Sequence, residues 1–163
     1  MTVIPIRPRD LVLPALVAAV VVHLFVRLGY GSLPSFPLAA GLPFAVLGAA
    51  EAIGGTALRS RIRDRTGARP VEPLLAARAV LVARASAQAG AIMTGAWAGL
   101  LVYVAPRSAD IAAAADDTVA AALGVVGALV LVGGGLWLQH CCRTPDDPED
   151  PKDGIDRRRR PQS

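Results

Sequence analysis

The chain has 163 residues, 53% of them hydrophobic and only 18% charged, with a mean hydropathy of +0.47 and a formal charge of +4. An ordinary soluble domain is richer in charge and intersperses it, whereas here long apolar runs alternate with short charged loops, the pattern of a polytopic membrane protein. The basic residues flank the apolar runs, so the positive balance reads as membrane orientation and not as a nucleic-acid surface.

Taken in chain order, the apolar runs cover about residues 11–28, 36–58, 79–103 and 118–138. Each is close to the roughly 20 residues that cross a bilayer as a helix. Helices are required because unpaired backbone groups are costly in lipid, and no strand-type alternation occurs. The expectation is an all-α membrane protein: four transmembrane helices in an antiparallel bundle over residues 1–143. The first run resembles a signal peptide, with Arg7 and Arg9 ahead of it. It is long, however, lacks an A-x-A site, and leads through GYGSLPSF into the next span, so it is expected to stay uncleaved.

Orientation follows from lysine and arginine placement. Fifteen of the 17 basic residues fall before span one, from Arg59 to Arg84 across the link between spans two and three and the first turns of span three, or after span four. The other side carries Arg27 and Arg107, with Asp110, Asp116 and Asp117. Both termini are therefore expected in the cytoplasm of a cell whose inner membrane holds the chain. The loop after span two, with Arg59, Arg61, Arg63, Arg65 and Arg69, stops transfer and offers a surface for anionic lipid. Residues 144–163, rich in proline and charge, are expected to be a disordered tail.

Few polar groups lie inside the spans. Glu51 stands about 10 Å from the cytoplasmic end of span two at 1.5 Å per residue, with Gly48, Gly54 and Gly55 on its side of the helix. Intramembrane acids usually face the bundle interior with a partner. Arg84 is the candidate. It heads a polar and small stripe of Arg84, Gln88, Ala91, Gly95 and Gly99 on span three, and the spacing predicts that spans two and three pack with Glu51 and Arg84 paired. On the outer side, His23 and Arg27 share one face of span one. Asp116 and Asp117 at the start of span four suit a helix N-terminus, and a contact with Arg27 is expected.

Cys141 and Cys142 are adjacent, a spacing that disfavours a disulfide and lacks C-x-x-C geometry. No metal site, cofactor or catalytic cluster is indicated, so the chain is not expected to be an enzyme.

Several segments together resemble a known family: AEA at 50–52, AARAVLVARASAQAGA at 76–91, AADDT at 114–118, LWLQHCCRTP at 136–145, and VRLGY at 26–30. In their order and spacing the chain resembles an uncharacterised family of small actinobacterial membrane proteins, domain of unknown function 3180, over most of residues 8–143. The resemblance implies a four-helix inner-membrane protein often encoded beside folate-biosynthesis genes. It brings no activity and no catalytic residues. Two functions remain open. One is a non-enzymatic scaffold or accessory subunit that binds a protein partner or another copy of itself. The other is a small transporter with a polar path involving Glu51 and Arg84.

Overall fold

A computed structural model describes residues 8–30, 37–63 and 73–142. Among these residues it is all-helical, with no strand. Helix α1 is Pro8–Gly29, α2 Leu42–Arg63, α3 Pro73–Val104 and α4 Ala112–Cys141. A short 3-10 turn, Leu38–Gly41, leads into α2, and another, Ala105–Arg107, follows α3. All four helices are long and apolar enough to cross a membrane. The tail expected after residue 143 lies outside the described residues, as do Arg65 and Arg69.

The helices outrun the apolar windows read from the sequence. α4 begins at Ala112 and not at 118, and α3 begins at Pro73 and not at 79. Hydropathy marks only the apolar centre, whereas alanine- and leucine-rich ends such as residues 112–115 and 74–77 continue the helix by propensity. Asp116 and Asp117 consequently stand more than a turn inside α4, and its first turn holds no acid. The expectation that they occupy the helix N-terminus is corrected. Pro43 falls in the first turn of α2 and breaks nothing, while Pro14 lies well inside α1.

Packing departs from a closed antiparallel bundle. Helix contacts run α1 to α3, α3 to α4 and α4 to α2. Among the described residues α1 makes no backbone approach to α2 or α4, and α2 barely meets α3. The four helices form an open row with α3 and α4 inside it. Burial agrees, with 44% of the α4 apolar window buried and only 6% of that of α1.

Glycine fixes the register of the row. A Cβ at Gly95 would lie 2.8 Å from Ala15 Cα, and one at Gly99 would meet Ala19, so α1 and α3 run parallel in close contact. Gly41, Gly48 and Gly55 meet α4 at Leu123, Leu131 and Leu138 in turn, so α2 and α4 also run parallel. Their spacing of seven keeps one helix face on the partner. Gly135 lies against Ala83 and Ala87, while Gly124 lies against Trp97, which makes α3 and α4 antiparallel. Absent side chains let these backbones approach. Leu131 and Leu138 are buried along the α2–α4 seam, and a cluster of larger residues packs at the end where α1 finishes and α4 begins. There Val26, Leu100 and Val104 form a core with Ala114 and Ala121.

Candidate functional site

The polar residues fall into three places. The first is on α2. Glu51 is 8% exposed, and both carboxylate oxygens are sealed with no hydrogen-bond partner. Gly48 and Gly55, on either side of it, seat this face on the α4 segment between Leu131 and Leu138. Toward the same end of α4, Gln139 is also buried, and its Nε2 finds no partner.

Arg84 is not Glu51's partner. Gly55, Gly48 and Gly135 set the two residues at similar levels, as the sequence indicated. α4 nevertheless lies between their helices. Its adjacent glycines face different neighbours, Gly134 meeting Gly48 of α2 and Gly135 meeting Ala83 of α3. The stripe headed by Arg84 turns to α1, since its Gly95 and Gly99 meet Ala15 and Ala19. Paired packing of spans two and three is thereby corrected: α2 packs on α4, and the α3 stripe packs on α1.

The second place is a cavity of about 470 Å³ lined by Asp10, Leu13, Pro14, Arg84 and Gln88. Arg84 is half-buried and Gln88 exposed. Asp10 opposes them from the first turn of α1.

The third place is an aromatic and polar cluster at the other end. Tyr103 is its hub. The His23 ring meets it edge-on at 6.1 Å, Tyr30 lies tilted at 5.3 Å, and the Arg107 guanidinium sits 3.9 Å above its face. Arg107 also donates to the Tyr103 carbonyl at 2.6 Å. His23 Nδ1 lies 3.3 Å from the Gly99 carbonyl oxygen, which assigns the proton to that nitrogen. The Tyr30 hydroxyl donates to Asp117 Oδ2 at 2.6 Å. Partial burial first, then this bond and the charge of Asp117, push the Tyr30 phenol up to about 12. Asp117 is buried, whereas Asp116 and Arg27 are exposed. Asp117 thus receives Tyr30, where the sequence suggested Arg27.

Tyr30 and Tyr103 were not singled out from the sequence. The signal was present, because Tyr103 and Arg107 extend the α3 stripe beyond Gly99 at steps of four. Arg59 is exposed on α2; Arg61 and Arg63 lie on its last turn. Cys141 is buried, and both cysteines are free thiols. Burial and the neighbouring Cys141 raise the Cys142 thiol.

No curated protein and no solved structure matches this chain. A family model does match, over residues 11–146. Its match covers most of the four-helix row, and the chain belongs to the family described as Protein of unknown function (DUF3180).

Proposed function

We propose that the chain is a multi-pass cell-membrane protein with both termini in the cytoplasm, acting as a non-enzymatic scaffold or accessory subunit of a membrane complex. Among the described residues, Arg9, Arg59, Arg78 and Arg84 stand at one end of the row, and Arg27 and Arg107 at the other. That asymmetry supports the orientation. The basic end would attract anionic lipid, at about 1 kcal/mol per basic residue near the surface.

One observation carries the scaffold reading: α4 separates Glu51 from Arg84, and Glu51 is sealed. A conducting path needs polar groups that line one accessible route. Here they occupy different interfaces, while among the described residues α1 packs chiefly on α3 and α2 chiefly on α4. Flank helices packed chiefly on one side leave long apolar faces for another protein's helices. Affinity purification from native membranes in mild detergent tests this. A stoichiometric partner is expected; a chain that always purifies alone and mediates solute flux in proteoliposomes overturns it.

The absence of a partner for Glu51 favours the second reading, a small transporter or transporter subunit. In that case Glu51→Gln would abolish flux while leaving membrane integration intact.

A further inference from the structure

We propose that the groove between the first turns of α1 and the flank of α3 binds the headgroup of an ethanolamine phospholipid. Its phosphate would lie on the Arg84 and Gln88 wall and its ammonium on the Asp10 wall. This rests on the membrane reading above and adds a ligand to it.

Two helices supply the two walls: Asp10, Leu13 and Pro14 come from α1, Arg84 and Gln88 from α3. The charges on them are opposite. Helix register locates the groove. With Ala15 against Gly95 and Ala19 against Gly99, the first turn of α1 is level with Gln88. Arg84, one turn further along α3, projects past the start of α1. The cavity is therefore a notch at the basic end of the row, where headgroups meet the hydrocarbon.

The chemistry of the lining suits a zwitterion. An arginine has five N–H donors in a planar fork that matches phosphate, and one carboxylate neighbour engages at most two of them. The Gln88 amide adds a donor on the same wall, one turn nearer the membrane centre. Opposite, the Asp10 carboxylate accepts hydrogen bonds from a primary ammonium, and such charge-assisted bonds are the strong ones. Leu13 is 62% exposed and offers apolar surface where the glycerol and acyl carbons begin. A choline headgroup has no N–H for Asp10. A glycerol headgroup leaves a net anion facing Asp10 with no cation between them.

The test uses full-length protein, delipidated in mild detergent. It is titrated with phosphatidylethanolamine, phosphatidylcholine and phosphatidylglycerol of matched acyl chains, and native mass spectrometry counts bound lipid. The wild-type chain should retain the ethanolamine lipid about tenfold over the choline lipid, the scale of one charge-assisted hydrogen bond. Arg84→Ala should lower retention about tenfold, and Arg84→Lys, which loses the fork, should lower it less. Asp10→Asn should erase the preference for ethanolamine over choline. Equal retention of the two lipids by the wild-type chain overturns the proposal without reference to any variant. A preference for phosphatidylglycerol over the ethanolamine lipid that Arg84→Ala abolishes and Asp10→Asn leaves unchanged also overturns it, by revealing a plain anion patch at the groove. Displacement by soluble glycerophosphoethanolamine at the lipid's own concentration would assign the groove to a free phosphate ester and overturn the lipid source. Failure of the membrane reading is seen separately, as a chain that stays in solution before any lipid or detergent is added.

Discussion

The Tyr30 hydroxyl donates to Asp117 Oδ2 over 2.6 Å and ties the end of α1 to α4, two helices whose backbones do not otherwise approach. A hydrogen bond to a charged acceptor contributes about 1.5–3 kcal/mol, less when partly exposed. Tyr30→Phe should therefore cost about 1–2 kcal/mol by thermal unfolding in detergent. A double-mutant cycle with Asp117→Asn should give a coupling of about 1 kcal/mol. A coupling near zero would remove the bond from the account.

The same contact predicts a pH dependence. The neutral phenol is the form that the folded chain favours, and its pKa rises from 10.0 to about 12. The contribution is complete below about pH 10 and is lost as pH climbs toward 12. The chain has two tyrosines. In Tyr103→Phe, tyrosinate absorbance should therefore report Tyr30 alone, titrating well above a free phenol. Titration near 10 would show that Asp117 does not hold it.

Glycine substitutions should separate by position. Gly48→Ala and Gly95→Ala place a Cβ against backbone of α4 and α1. Each should destabilise by about 1–3 kcal/mol, the range for overpacking. Gly54 and Gly133 have nothing within 4 Å of an added Cβ. Alanine there should be neutral or stabilise by up to about 1 kcal/mol through helix propensity. Equal effects at all four positions, measured as folded yield and unfolding temperature, would contradict the register of the row.

Glu51→Met replaces an unpartnered buried carboxyl with an apolar chain of similar length. Removing an unsatisfied polar group is neutral to stabilising, by about 1–3 kcal/mol. Because α4 separates Glu51 from Arg84, losses in Glu51→Gln and Arg84→Ala should add to within about 0.5 kcal/mol in the double variant. Stronger coupling would restore the ion pair that the sequence suggested.

Burial and Cys141 raise the Cys142 thiol, so little of it is thiolate at neutral pH. In Cys141→Ser, alkylation of Cys142 should be slower than that of a free cysteine at pH 7 and should accelerate as pH rises. A rate at pH 7 matching free cysteine would contradict this.

The four apolar runs made the helices legible, and the stripe from Arg84 to Gly99 was legible as one packing face. Its partner was not. Small-residue stripes also mark α2 and the turn before it at Gly41, Gly48 and Gly55, and α4 at Gly127 and Gly134. A stripe announces close approach without saying to what. Glu51 supplied a charge argument for pairing spans two and three. Shape decided otherwise, because Gly134 and Gly135 let α4 fit between them. The aromatic and polar cluster was half legible: His23 and Asp117 stood out as polar, whereas Tyr30 and Tyr103, which join them, were not singled out.

The order α1, α3, α4, α2 bears on biogenesis. A ribosome delivers α1 and α2 first, yet neither contacts the other. In the membrane topology proposed above, α1 waits in the bilayer for α3, and α2 waits for the last helix synthesised. A chain truncated after residue 107 would strand α2 and its buried acid without the surface that covers them. Surveillance proteases should clear that fragment faster than the whole protein.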